Sequence, residues 1–536
     1  MSSNRRWALI LVTLDIAAQQ SDTLNAMKAD NDLYRRLREL SADQLWTIEV
    51  PKFNKASQVE RGRQVALIRA VGVVFASSQN EKLKTEVKSW VKSLLSDPSE
   101  KVRRYAMAAI PKLGGDVEAE KEIITILKTS SVEREKKKAG SALEKIAGEE
   151  TLKAVGGTNA LPISEQKVRA NVARKESPAK IRMDAVLDRY DTLRISLRCR
   201  RGLEAILAEE VKEAEAKGGK FKLLEIRGCH VVVAAKSPFC LADIYQLRCF
   251  DTVGFYIGRV RDPQSPDAIN ELAKVIASPL TERLMEHFTE GSWRYRLAFS
   301  GSDNQDAVVE KVTQAAFKIN PKILNDAREA PWSLDVFLAP TATIAEIRPR
   351  VSPDPRLEYR LKAVNAASHP PIAACMARLA GTDDQELVWD PFCGSGLELI
   401  EMAMHAKVKC VVGTDLSESA IAMMKGNFAA AKLDGVRGAF YTSDFRNIDI
   451  IPELKKRNVS LIISNPPLGR RVRVPNLEGL FEDLFRVAGA VLRPGGRLIF
   501  VNPGRVEPKD KSLRRVYRQI VDLGGYDCKM EMYMKM

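Results

Sequence analysis

Hydrophobic positions recur every three to four residues through the first 165 residues, the period of an amphipathic helix. The stretch from Asp97 to Gly114 shows it most clearly. Asp97-Pro98-Ser99-Glu100 supplies capping chemistry and an early proline, and Val102, Ala106, Met107, Ala109, Ile110 and Leu113 follow at helical spacing. A further helix is expected near Ile123–Leu127, and a segment similar to the first runs from Val132 to Ala147. That offset is the length of a paired-helix repeat, so residues 1–165 predict either a helical repeat stack or an irregular helical domain. Residues 166–188 are polar and charged around Ser177-Pro178, which reads as a linker or an exposed helix.

At Leu193 the period changes. Leu193–Cys199 alternates as a strand does, Phe221–Ile226 and Val231–Ala235 read as a hairpin pair, and Trp293–Phe299 and Ser333–Leu338 are further strands. Helices are expected at Gly202–Ala216, Asp267–Ala277 and Asp306–Lys318. This order predicts an α+β domain with an antiparallel sheet over 189–350, followed by a connecting helix over 351–380. From 381 to 536 strand and helix alternate: Glu386–Trp389, Lys409–Gly413, Ala439–Thr442, Leu461–Ser464 and Arg497–Val501 as strands, with Leu397–His405, Glu418–Leu433 and Leu477–Leu492 as helices. That is the pattern of a doubly wound, Rossmann-like α/β sheet. The whole chain is thus a multidomain protein of three folding regions.

Composition narrows the partners. The chain has 536 residues and a formal net charge of +15, which favours a polyanion: nucleic acid first, an anionic membrane surface second. Eight cysteines without a C-x-x-C pair and four histidines offer no zinc or iron–sulfur spacing, so no metal is expected. The cysteines read as reduced thiols in a reducing compartment, which points to the cytoplasm, with an organellar presequence as a lesser option. The apolar stretch Trp7–Leu14 is too short to span a bilayer and reads as a helix of the first domain.

Chemistry-bearing residues gather at the strand ends of the last region. Pro391-Phe392-Cys393-Gly394-Ser395-Gly396 is a tight loop whose glycines let the backbone approach a ligand at a helix N-terminus. Asp415 ends the second strand, 21 residues after Gly394, and suits a ribose diol. Taken alone, loop and acid fit NAD as well as S-adenosylmethionine. Leu399 occupies the place of the dinucleotide fingerprint's third glycine, and Asp390 before the loop suits an ammonium rather than a pyrophosphate. Asp444 after the third strand can accept from an adenine amino group. Asn465-Pro466-Pro467 follows the fourth strand. A base's exocyclic amine is a poor nucleophile, and the Asn465 side-chain oxygen with the Pro466 carbonyl can hold its NH2 and aim the lone pair at a methyl group.

These segments resemble the THUMP-linked guanine-N2 RNA methyltransferases. Asp390-Pro391-Phe392-Cys393-Gly394-Ser395-Gly396 looks like their cofactor loop and Asn465-Pro466-Pro467-Leu468-Gly469 like their catalytic loop. Ala366-Ala367-Ser368-His369-Pro370-Pro371, with Ala373 and Ala374, is similar to the segment preceding the cofactor loop, and Cys199–Glu210 to the opening of such enzymes. Residues 293–350 are similar to the THUMP module, and the N-terminal helices resemble HEAT-like repeats, whose concave face implies a protein or nucleic-acid partner. The resemblance implies a class I fold and S-adenosyl-L-methionine held by Asp390, Phe392, Gly394, Ser395, Gly396, Asp415, Leu416, Ser443, Asp444, Phe445 and Asn465. It implies catalysis at Asn465, Pro466, Pro467 and Leu468. Structured RNA, tRNA or rRNA, would meet Arg200, Arg201, Arg294, Arg296, Arg470, Arg471 and Arg473, with Arg194, Arg198, Arg348 and Arg350 as further phosphate contacts. Two residues depart from the family: Leu397 stands where threonine is usual, and Leu468 where an aromatic normally stacks on the base. The competing readings are methylation of adenine N6 or of a protein glutamine, and a non-catalytic RNA-binding or assembly protein with a vestigial fold.

Overall fold

The computed structural model describes residues 30–155, 161–300, 306–339, 342–364, 367–470, 473–504 and 506–536. Trp7–Leu14, Ala366 and Arg471 lie outside the described residues. The chain forms two compact units. The first comprises Met1–Ala179 with Gly291–Tyr295 and Asn320–Ala330; the second comprises Lys180–Glu290, Arg296–Ile319 and Pro331–Met536.

In the first unit, helices at Ala66–Val74, Glu100–Leu113, Glu133–Ile146 and Glu165–Glu176 pack one on the next, with Glu81–Ser93, Val117–Thr129 and Glu149–Val155 between them in sequence. Their buried stripes merge into one core around Val71, Val87, Ala106, Ile110, Ile123 and Leu143. Gly72 marks a close crossing: a Cβ there would lie 2.8 Å from the Ala109 Cβ. Two buried carboxylates are paired: Asp97, in the turn before the helix Glu100–Leu113, with Arg61 at 2.7 Å, and Glu135 with Arg103 of the neighbouring helix at 2.6 Å. The expected linker at 166–188 is corrected here. Val168 and Ala170 of the helix Glu165–Glu176 are buried, because its apolar face completes the stack, and the first segment of the unit runs on to Ala179.

The second unit holds two large sheets and a short antiparallel ladder of Lys180–Ile181 with Thr289–Glu290. Strands β1 (Ile195–Arg198), β2 (Phe221–Arg227), β3 (His230–Ala235), β4 (Thr252–Val260), β5 (Arg294–Ser300, of which Arg296–Ser300 lie in this unit), β6 (Trp332–Ala339) and β7 (Ala342–Pro349) run in the order β2-β3-β1-β4-β7-β6-β5, and the short strand Leu324–Asn325 pairs with Arg294 and Tyr295 in the first unit. The ladders β2–β3, β3–β1, β1–β4, β4–β7 and β7–β6 are antiparallel. The other sheet contains β8 (Gln385–Asp390), β9 (Val408–Asp415), β10 (Arg437–Thr442), β11 (Val459–Ser464), β12 (Leu492–Asn502), β13 (Leu513–Asp522) and β14 (Asp527–Lys535). Its order is β10-β9-β8-β11-β12-β14-β13; the first five strands are parallel and the last two join antiparallel. Chain order turns back between β8 and β11, so the carboxyl ends of β8, β9 and β11 open at a topological switch point, where doubly wound sheets bind ligands. Trp389, Val412, Ile462, Leu498 and Phe500 make the core beneath it.

The two halves of this unit are welded together. The Arg248 guanidinium donates to both Glu401 oxygens at 2.7 Å, and the Tyr359 hydroxyl donates to Glu401 at 2.6 Å. Glu210 accepts from the backbone N–H groups of Arg248 and Cys249, each at 2.9 Å. Gly202, at φ +93°, turns so close to β13 that a Cβ would sit 1.9 Å from the Ile520 carbonyl oxygen.

Candidate active site

Asp390 ends β8 with its side chain fully buried. Its Oδ1 accepts from the Phe392 N–H at 2.9 Å and from the Ser464 hydroxyl, while its Oδ2 is buried with no partner. Burial, reinforced by the nearby Glu398 carboxylate, pushes the Asp390 pKa well above the usual carboxylate range. The glycine loop follows. Gly394 has φ +50° and Gly396 φ +89°, and a Cβ at Gly396 would lie 1.6 Å from the Met424 Sδ. The loop is anchored from β9: Cys393 N–H donates to the Thr414 carbonyl at 3.0 Å, and Asp415 Oδ2 accepts from Gly394 N–H at 3.0 Å. Asp415 Oδ1 accepts from Ser417 N–H at 2.9 Å, and the carboxylate keeps lone pairs for hydroxyl donors.

At the end of β10, Ser443 N–H donates to the Asp415 carbonyl at 3.0 Å, so the two strand ends lie side by side. Asp444 accepts from Arg446, at the backbone N–H (2.9 Å) and the guanidinium (3.2 Å). Phe392 and Phe445 pack with ring centroids 4.8 Å apart, a small apolar wall between the first and third strand ends. Leu416 projects outward, 75% exposed. Ser395 lies under the loop, its carbonyl accepting from the Asn427 Nδ2 at 2.9 Å.

Asn465 follows β11. Its Nδ2 donates to the Ser368 hydroxyl at 2.8 Å, and its Oδ1 is buried without a partner. Pro466 is buried and Pro467 half-buried, which fixes the backbone, and Leu468 packs against the core near Leu477. Gly469, at φ +78°, then turns the chain out to Arg470, whose guanidinium covers the Tyr526 ring at 4.4 Å. Arg473 is exposed.

The arginines expected at RNA divide. Arg296 is exposed; Arg201 is exposed and paired with Asp527; Arg200 is half-buried with its Nε unpartnered. Arg194 and Arg350 are exposed, Arg348 is held by Asp335 at 2.9 Å, and Arg198 lies over the Phe337 ring at 4.6 Å. Arg294 is a correction. It is 2% exposed and bound to Asp326 at 2.8 Å within the first unit, so it cannot reach a phosphate. Its strand alternation places it inward, and Asp326 compensates the buried charge.

Residues 357–530 match the family described as the RMKL-like methyltransferase domain. This segment is similar to that domain. Among curated relatives, a tRNA (guanine(10)-N2)-dimethyltransferase of Methanocaldococcus jannaschii is 26% identical over 29% of this chain and 43% of its own length. The U6 snRNA (guanine-N(2))-methyltransferase THUMPD2 of Bos taurus is 30% identical over 24% of each chain. The chain therefore spans less than half the length of either relative. The crystal structure of TrmN from Thermus thermophilus superposes with TM-score 0.51 at 21% identity, covering 64% of this chain and all of that one. That share of the chain is larger than residues 357–530 alone.

Three site residues escaped the sequence. Asn427 Nδ2 also donates to the Lys362 carbonyl at 2.8 Å, clamping the glycine loop to the segment before it. Ser464 holds Asp390, and Glu398 accepts from the Ser368 hydroxyl while 3% exposed. Only a polar residue inside an apolar pattern hinted at them: Ser464 closes a buried strand and Glu398 opens a buried helix.

Proposed function

We propose that the chain is an S-adenosylmethionine-dependent RNA methyltransferase acting on the exocyclic N2 of guanine. The observation that carries this is the Asn465 amide, its nitrogen tied to Ser368 and its oxygen buried and unpartnered beside the glycine loop. An acceptor in that state suits an incoming N–H donor. The names of the two curated relatives, which specify guanine N2 in tRNA and in U6 snRNA, support the same choice.

The residues present fit the cofactor. Asp390 Oδ2, buried and without a partner, suits its ammonium; Asp415 suits the ribose hydroxyls; Asp444 suits the adenine amine; Phe392 and Phe445 offer apolar contact. S-adenosylmethionine supplies an electrophilic methyl on a positively charged sulfonium. Asn465 Oδ1 and the Pro466 carbonyl would accept from the target NH2, holding its lone pair in line and stabilising the charge that develops on nitrogen. Leu468 offers the base an apolar face without a ring.

For the RNA, the α+β half of the second unit supports a THUMP-like role, with Arg200, Arg201, Arg296, Arg470 and Arg473 as phosphate contacts. The alternate packing of helices in the first unit supports a HEAT-like stack with a protein partner. Eight free cysteines agree with a reducing compartment such as the cytoplasm. Among the described residues, no helix is long and apolar enough to cross a membrane.

The test uses methyl transfer from S-adenosylmethionine to small RNA from cells lacking the protein, with nucleoside analysis of the product. Asn465→Ala should lose ~10²–10³-fold in turnover while cofactor affinity holds, as removal of a preorganised polar group does. Full activity in that variant overturns the mechanism. Methylated adenine, or methyl groups in protein alone, overturns the guanine assignment.

A further inference from the structure

We propose that Ser368 is a positioning residue for Asn465, and that Glu398 sets the direction in which Ser368 hydrogen-bonds. The proposal rests on Asn465 receiving the target amine. An asparagine amide has two nearly isosteric ends, an acceptor and a double donor, and a half-turn of the side chain exchanges them. Only one orientation serves an amine substrate. With the flipped amide, an NH2 would face an NH2, and two donors would be left unsatisfied in a buried place.

The structure supplies a device that selects between the two. Glu398 sits in the first turn of the helix Leu397–His405, nearly buried, and its Oε1 accepts the Ser368 hydroxyl hydrogen. An ionised carboxylate is acceptor-only, and Oε1 stays an acceptor even when a proton rests on Oε2. With its single hydrogen committed to Glu398, the Ser368 oxygen can only accept. The group that meets it at 2.8 Å is the Asn465 Nδ2, which leaves Oδ1 facing away, buried and unpartnered. The acceptor at Glu398 is thus transmitted through one hydroxyl to become an acceptor at the substrate. Glu401, one turn further along the same helix, does not compete for Ser368, because Arg248 and Tyr359 already bind it. Burying a carboxylate at Glu398 costs stability unless a partner needs it, and its partner is a hydroxyl that touches the proposed catalytic amide.

Two readouts test this on the full chain. The first is the Asn465 side-chain amide signal in asparagine-selective 15N spectra, assigned by its loss in Asn465→Ala. In the wild type one amide proton should be shifted by the Ser368 bond. That shift should vanish in Ser368→Ala and Glu398→Leu and persist in Ser368→Thr and Glu398→Gln, which keep the hydroxyl and an acceptor. The second is steady-state kinetics on the same undermethylated small RNA. Ser368→Ala should lower kcat about tenfold, the scale of one hydrogen bond, with RNA KM, cofactor affinity and melting temperature nearly unchanged. Ser368→Thr or Glu398→Gln should recover most of the loss. An unmoved amide signal in Ser368→Ala overturns the relay. So does a kcat loss matched by lost cofactor affinity and melting temperature, or one that neither conservative variant recovers while the amide signal persists. If the wild type methylates no RNA, the functional reading fails, and the amide signal still decides the relay.

Discussion

With Asp390 proposed to receive the cofactor's ammonium, cofactor binding should depend on pH in a definite direction. Its Oδ1 has two donors and its Oδ2 none, and burial followed by the Glu398 charge raises its pKa well above the ordinary carboxylate value. Below that raised pKa the free protein holds a proton on Asp390. An ammonium placed against Oδ2 favours the ionised form, so binding must expel the proton. Affinity for S-adenosylhomocysteine, which carries the same ammonium, should therefore fall as pH falls, by about tenfold per unit for one proton, and level off above the raised pKa. The measurement is titration calorimetry below about pH 7.5, where the ligand's own α-ammonium stays charged, in two buffers of different ionisation enthalpy. The apparent enthalpy should differ between buffers by the heat of one proton taken up. Asp390→Asn removes the charge. A hydrogen bond to a charged group contributes ~1.5–3 kcal/mol, so affinity should drop ~10–150-fold and the pH slope should vanish. A buffer-independent enthalpy in the wild type, or an Asn variant that binds as tightly, refutes the assignment of Asp390 to the ammonium.

Gly396→Ala places a Cβ 1.6 Å from Met424 Sδ at a left-handed backbone position; overpacking alone should cost ~1–3 kcal/mol, read as a lower melting temperature with weakened cofactor binding, and wild-type values in both would refute the loop geometry. Arg248→Ala leaves Glu401 buried without its cation and should cost ~3–5 kcal/mol in urea denaturation, while pairing it with Glu401→Leu should recover much of the loss; a single variant as stable as wild type would refute the weld. Leu468→Tyr adds a ring beside the proposed base site, where stacking contributes ~1–3 kcal/mol, and should raise kcat/KM on RNA; a fall in turnover would mean that the pocket is shaped against a ring.

The parallel strands of the second sheet were legible because most are apolar runs that end on a polar residue. Leu397–His405 emerges with the bounds expected, and Asp390, Asp415, Asp444 and Asn465 all stand at strand ends. Much of what it hid is non-local. Nothing near Arg294 in the chain announces Asp326, and nothing near Ser368 announces both Glu398 and Asn465. Strands β4, β7, β13 and β14 went unassigned. Glycines interrupt β4, and in β13 five of ten residues are charged or amide, because it is an edge strand with one face in solvent. The helix Glu165–Glu176 reads as a linker for the opposite reason: its composition is polar, and only the neighbouring helices reveal the narrow face that it buries.

The close approach of Gly202 to Ile520 has a consequence for how the protein is made. In synthesis the turn at Gly202 leaves the ribosome long before the hairpin β13–β14 that it touches, with β8 to β12 emerging in between. The α+β half must wait, with that flank uncovered, until the hairpin arrives. A ribosome stalled anywhere before residue 513 would therefore present a flank lacking its final cover, and chaperones have that interval in which to act.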